Sequence, residues 1–233
     1  YDHTVRVWSL TNKKQTKILE GHASWVSDIA CSPDGKLIAS AGGNGELKIW
    51  STDTWTCIHT YCENHNDWIA KILFNSDSQL IASASRKKIY IWDLQESRVL
   101  KKLQLDFHPK TLLFKNNIDF SPNGEFLASG SSDTTVRIWD FESGENIRTL
   151  TGHSDIVWPV IFNPQGDVVV SSSFDNTVRF WDIASGNNFK LIEGYANSVR
   201  DIAFNPVSRT IASLHAADKA IRGWDIFSGE LLW

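Results

Sequence analysis

The tryptophans of this 233-residue chain return at a near-constant interval, and that interval limits the folds open to it. Trp8, Trp50, Trp92, Trp139, Trp181 and Trp224 follow one another at 42, 42, 47, 42 and 43 residues. Before the later ones comes similar text: in two units a Gly-His step (Gly21-His22, Gly152-His153), then a turn such as Ser32-Pro33-Asp34-Gly35 and an apolar run such as Leu37-Ile38-Ala39-Ser40. A run such as Thr135-Val136-Arg137-Ile138-Trp139 then closes the unit. A period of this size belongs to arrays of one small unit that cannot bury its own apolar faces and is stable only when stacked on its neighbours.

Within a unit the local signals are those of short strands. Pro33, Pro122 and Pro164 preset φ at the second turn position, and Gly35, Gly124 and Gly166 close the turn. Leu37–Ser40 and Val168–Ser171 are almost continuously apolar, as strands covered on both faces are. Thr135–Trp139 is rich in β-branched and aromatic residues. No window shows helical periodicity. Four strands for each period of about 42 residues is the pattern of a propeller blade.

Gly-His, Ser-Pro-Asp-Gly and Val-Arg-Ile-Trp-Asp at this period resemble the WD-repeat family of β-propellers over essentially the whole chain. The resemblance implies an all-β fold, a WD-repeat β-propeller of four-stranded antiparallel blades, with about five complete blades plus part of another. Blade boundaries read as 1–20 (partial), 21–63, 64–107, 108–151, 152–193 and 194–233, the last with its outer strand incomplete. The two ends do not complement each other, so the segment reads as cut from a longer, seven-bladed propeller, with apolar blade faces left exposed.

The resemblance also assigns the repeated polar residues to buried hydrogen-bonded sets, each bond contributing ~1 kcal/mol net. His153, Ser171, Asp175 and Trp181 make a complete set. His22, Ser40 and Trp50 make another, with Asn44 at the Asp position. His65, Ser83 and Trp92 form a third, in which Ser85-Arg86-Lys87-Lys88 has lost the Asp. Ser129, Asp133 and Trp139 lack the His, since Lys110-Thr111 stands in its place. Ser213, Asp218 and Trp224 remain in the last unit, where Tyr195 replaces the His.

These assignments leave no catalytic residues and no metal site or cofactor to propose. The histidines are scattered along the units, without ligand spacing, and no nucleophile elbow, P-loop or zinc-protease motif occurs. The nearest enzyme lookalike, the Asp-box turn of sialidase-type propellers, has a different Asp-to-Trp spacing and a Gly that is missing here. A net charge of −4 with mixed signs argues against a nucleic-acid surface. No apolar run approaches the ~18 residues of a membrane span. Cys31, Cys57 and Cys62 are odd in number and without Cys-x-x-Cys spacing, which points to an intracellular, cytoplasmic protein. No small-molecule substrate is expected.

Function then falls to loops on a rigid scaffold. WD-repeat propellers grip partners on the face carrying the turn before the third strand and the start of the first. The matching positions here include Tyr1, Trp25, Trp68, Arg86, Phe114, Trp158, Phe174 and Arg200, a set rich in the aromatic and Arg residues of interface hot spots. Trp25 and Trp68 could equally cap the inner-strand core. Trp158 stands out because its counterparts are Ser27, Ala70, Asn116 and Arg200. Leu100–Ile118, which stretches one interval to 47 residues, reads as a longer outer strand and loop or as a protruding specificity loop. The leading reading is a non-enzymatic scaffold for protein or peptide partners. The alternative is a C-terminal sensor or regulatory array of a multidomain signalling protein: a nucleotide-binding switch ATPase, a kinase or a ubiquitin-ligase adaptor.

Overall fold

The computed structural model describes residues 2–62, 65, 67–85, 88–104, 118–193, 199–205, 207–215, 219–226 and 228–233. Among them every regular element is a strand, and every strand pairing is antiparallel. The chain divides into two compact units, Tyr1–Leu105 and Asp106–Trp233.

In the first unit, β1 (Val5–Trp8) pairs with β2 (Gln15–Leu19) as a two-stranded sheet. The strands β3 (Val26–Cys31), β4 (Leu37–Gly42), β5 (Leu47–Ser51) and β6 (Cys57–Tyr61) form a meander in sequence order. A second meander follows as β7 (Lys71–Phe74), β8 (Leu80–Ala84), β9 (Lys88–Asp93) and β10 (Arg98–Gln104). At seven residues β10 is longer than the five-residue fourth strands elsewhere, in line with the stretched interval after Trp92. In the second unit the meanders are β11 (Ile118–Phe120), β12 (Phe126–Gly130), β13 (Val136–Asp140) and β14 (Asn146–Leu150), then β15 (Val157–Phe162), β16 (Val168–Ser173), β17 (Val178–Asp182) and β18 (Asn188–Ile192). The last sheet holds three strands, β19 (Val199–Phe204), β20 (Thr210–His215) and β21 (Ile221–Asp225), beside which Leu231 makes a single bridge to Trp224.

The turn between first and second strands shows why its sequence recurs. Gly35, Gly124 and Gly166 sit at φ 73°, 76° and 81°, a left-handed conformation that Gly adopts without a Cβ clash. Ser32 Oγ accepts the Leu37 N–H at 2.9 Å, so the loop's own side chain closes it. Second and third strands are the buried ones: Ala39, Ala41, Leu47 and Ile49 have no exposed surface, nor do Val169, Val170 and Val178. Their side chains fill the space between successive sheets within each unit, where burial of apolar area supplies the main favourable term.

Polar contacts fix the spacing of successive sheets. Asp28 Oδ2 on β3 accepts the Ile72 N–H of β7 at 2.8 Å and lies 3.5 Å from Lys71 Nζ. Asp119 on β11 does the same for Phe162 N–H of β15, also at 2.8 Å. At the opposite edge, one residue each of β2, β6, β14 and β18 reaches the turn after the third strand of the next sheet. Lys17 lies over the Trp55 ring at 5.9 Å, and the Ser97 hydroxyl stands 3.4 Å from the His59 ring nitrogens. Arg148 Nη2 donates to Ala184 O at 3.0 Å, and Lys190 Nζ donates to Ser228 O. These four residues hold equivalent register positions, paired with Val7, Ile49, Ile138 and Phe180.

Replacing Asp28 with Ala strips Ile72 N–H of its acceptor and is expected to cost about 1–3 kcal/mol. Urea unfolding of the whole chain measures this, and an unchanged midpoint would show that the bond contributes nothing.

Candidate functional site

The end of each sheet that carries the start of the first strand and the turn before the third strand collects the polar sets and most of the candidate binding residues. Its chemistry starts from one pairing. In five sheets an indole N–H donates to a fully buried serine hydroxyl on the second strand: Trp50 to Ser40 (2.8 Å), Trp92 to Ser83 (2.7 Å), Trp139 to Ser129 (2.9 Å), Trp181 to Ser171 (2.8 Å) and Trp224 to Ser213 (2.9 Å). Each serine oxygen thereby accepts once and keeps its own proton to give.

The recipient of that proton is an imidazole where one is present. His22 Nε2 is 2.6 Å from Ser40, His65 Nε2 2.8 Å from Ser83 and His153 Nε2 2.9 Å from Ser171. With Ser donating to Nε2, the neutral ring carries its proton on Nδ1, which must then find an acceptor. His153 Nδ1 finds Asp175 Oδ2 at 2.8 Å, and Asp175 also takes the Ser154 N–H and the Thr177 hydroxyl. Burial raises the Asp175 carboxyl, but Thr177, the Ser154 N–H and His153 together hold it below the ordinary carboxylate range.

Three sets depart from the sequence expectation. Asn44 does not take the acid's place beside His22; Glu46, two residues further on, reaches His22 Nδ1 at 2.8 Å and Lys48 Nζ at 3.0 Å. Its extra methylene lets it act from the position just before the third strand that Thr177 occupies in the complete set. In the sheet lacking a Gly-His histidine, Arg137 Nη2 takes the Asp133 carboxylate at 2.7 Å. In the last sheet the imidazole comes from the second strand itself: His215, two residues after Ser213 and so on the same strand face, puts Nε2 2.9 Å from the serine oxygen. Asp218, Tyr195 and Lys110-Thr111 lie outside the described residues. Glu46 and His215 carry a signal visible only through the register, as an acid just before the third strand and a His at serine plus two.

His65 is the exception with no carboxylate. It is 3% exposed, its ring meets Tyr90 edge-on at 4.6 Å, and its Nδ1 has no hydrogen-bond partner. Burial, and then the charge of Lys88, press its pKa from 6.5 down to about 4.

Among the candidate binding residues, Trp25 and Trp68 stand in consecutive sheets at the same step after the histidine, both half-buried, with ring centroids 5.5 Å apart. Trp25 packs against Gly43, where a Cβ would come within 2.2 Å of the indole, so that glycine makes room for the ring. Trp158 and Arg200 share a different cause. Each sits on a first-strand bulge, where pairing jumps from Val157↔Ser173 to Val160↔Ser171 and from Val199↔His215 to Asp201↔Leu214. A bulge re-aims the extra side chain out of the ladder. Arg200 is exposed, Trp158 half-buried, and Phe174 half-buried at the turn that follows β16. Tyr1, Arg86 and Phe114 lie outside the described residues, as does most of the 100–118 segment. No group of three or more His, Cys, Asp and Glu is gathered for a metal among the described residues. None of the described residues forms a helix long and apolar enough to cross a membrane.

The profile of the family described as "WD domain, G-beta repeat" matches residues 13–51, 55–93, 103–140, 144–182 and 186–225, and the chain belongs to this WD-repeat family. It is similar to the small ribosomal subunit protein RACK1y of Oryza sativa subsp. japonica, at 29% identity over 150 residues, 60% of this chain and 41% of that protein. It is also similar to mitochondrial division protein 1 of Saccharomyces cerevisiae, at 28% identity over 193 residues, 67% of this chain and 27% of the relative. The chain thus spans less than half the length of these curated relatives.

The buried imidazoles make stability depend on pH. Burial also lowers the pKa of His22 and His153, opposed only in part by Glu46 and Asp175. For each, the unfolded chain binds a proton more readily than the folded one, so stability is full above pH 6.5 and falls as the medium is acidified toward the folded values. For His65, with its pKa near 4, the loss amounts to about 3 kcal/mol across that window. Urea midpoints measured from pH 7.5 down to 4.5 should fall steadily, and His65→Gln should flatten the slope. An equal slope in that variant would remove His65 from the account.

Proposed function

We propose that this WD-repeat chain is a non-enzymatic interaction platform that holds protein or peptide partners on the loop ends of its sheets. The contacts are Trp25, Trp68, Trp158, Phe174 and Arg200, with Tyr1, Arg86 and Phe114 placed in the same set by sequence. The observation that carries the reading is the Trp25–Trp68 pair. Two large amphipathic rings from successive repeats stand together at 5.5 Å yet remain partly open to solvent. Rigid aromatic surface of that kind forms interface anchors at little entropic cost. Trp158 and Arg200 add to it because bulges turn them out of their strands.

A scaffold rather than a catalyst fits the polar groups as well. His22, His65 and His153 each spend Nε2 on a buried serine, which ties them to the architecture and away from substrate. Two relatives, one named for the small ribosomal subunit and one for mitochondrial division, fit work inside a cell. So do three exposed cysteines carrying free thiols.

Partner capture from cell extract by the immobilised chain tests the proposal. Trp25→Ala with Trp68→Ala, and separately Trp158→Ala with Phe174→Ala, should each weaken capture roughly tenfold or more, as loss of hot-spot aromatics does, with circular dichroism unchanged. Full capture by both folded double variants would remove the aromatic positions from the binding surface.

A further inference from the structure

The β7–β10 sheet repeats the geometry of its neighbour with one charge reversed. In the β3–β6 sheet, Ala41 pairs with Leu47, and Glu46 just before Leu47 accepts His22 Nδ1–H while Lys48 neutralises it. In the β7–β10 sheet, Ala84 pairs with Ile89, so Lys88 stands in the register of Glu46 and Tyr90 in that of Lys48. An acid–base pair has become a lone base beside a neutral ring.

The hydrogen-bond directions make the consequence specific. Trp92 N–H donates to Ser83, and Ser83 gives its proton to His65 Nε2, which leaves the imidazole proton on Nδ1. That N–H is buried and has no acceptor. Lys88 makes no ion pair with any described acid. Asp67, close by in sequence, is turned to the Trp68 N–H at 2.9 Å. Two donors without an acceptor, one of them cationic, occupy the loop end of a sheet where the same chain elsewhere places a carboxylate. A buried donor left unmatched costs about 1–3 kcal/mol, which a ligand bringing the acceptor recovers on binding.

We propose that the loop end of the β7–β10 sheet is an incomplete carboxylate site, completed by an Asp or Glu side chain of an acidic partner peptide that accepts His65 Nδ1–H and pairs with Lys88. Two sites in this chain show the finished arrangement: Glu46 on His22 and Asp175 on His153, each at 2.8 Å. The half-buried Trp68 indole, three residues after His65, offers apolar surface for the rest of such a peptide. The sequence continues the basic character at Arg86 and Lys87, which lie outside the described residues. The inference rests on the partner-binding reading above but not on its aromatic contacts.

The test uses the full chain with fluorescein-labelled hexaglutamate, and with hexaglutamine as the neutral counterpart. Anisotropy should show binding of hexaglutamate only, and the peptide should shift the His65 imidazole nitrogen resonances. Lys88→Glu installs the missing carboxylate within the chain, so it should raise the unfolding midpoint and weaken hexaglutamate binding roughly tenfold or more. Lys14→Glu, at an exposed position with the same change in net charge, should do neither. The proposal is overturned by equal binding to wild type and Lys88→Glu, by a His65 resonance that does not move, or by binding of inorganic phosphate in preference to the peptide. If hexaglutamate moves His65 while the aromatic double variants keep full capture, the carboxylate site stands and the aromatic surface falls. The opposite pair of results retains the aromatic surface and removes the site.

Discussion

A serine hydroxyl that accepts an indole N–H holds the sheets of this protein in register. It recurs in five sheets with a donor–acceptor distance of 2.7–2.9 Å, and in all five the serine has no exposed surface. The bond ties the second strand to the third, and a one-residue slip of either would turn its partner to the opposite face. It also fixes which way every later proton points. Because the indole can only donate, the serine must pass its proton on, and the group that receives it has its own donor left to place. In the sets built around a histidine, the remaining side chains are an answer to that requirement.

The answers differ from sheet to sheet. Asp175 meets the requirement for His153, Glu46 for His22, and His215 serves Ser213 from the same strand. The β7–β10 sheet meets it only halfway, since His65 receives the serine proton and nothing takes the next one. A closed network stiffens a sheet and offers nothing to a partner. An open one costs stability until something closes it. Under the proposal above, structure and binding compete for one imidazole Nδ1–H, and whether the chain's own carboxylate reaches it decides between them.

The fold was legible because the signal is repeated: six tryptophans at nearly equal spacing, with Pro and Gly at the turns, leave few alternatives to stacked four-stranded sheets. The serine–indole pairing followed from the same alignment of units. Other features were hidden for physical reasons. Glu46 is hidden because the repeat puts its acid at the turn position of Asn44, whereas a longer side chain can serve the same atom from two residues along. His215 escaped because it reaches Ser213 along one strand face rather than across from the preceding loop. The first-strand bulges that aim Trp158 and Arg200 depend on pairing, which no single strand's sequence displays.

The contacts from β14 and β18 to the turns of the following sheets bear on how such a chain can change over generations. Arg148 and Lys190 address backbone carbonyls, of Ala184 and Ser228, and a carbonyl is present whatever side chain the turn carries. The turns can therefore drift in sequence without loosening the link. The β15–β18 unit carries both halves of this link, the Ala184 carbonyl for the cation behind and Lys190 for the carbonyl ahead, so a copy of it would bring the same two contacts to its neighbours.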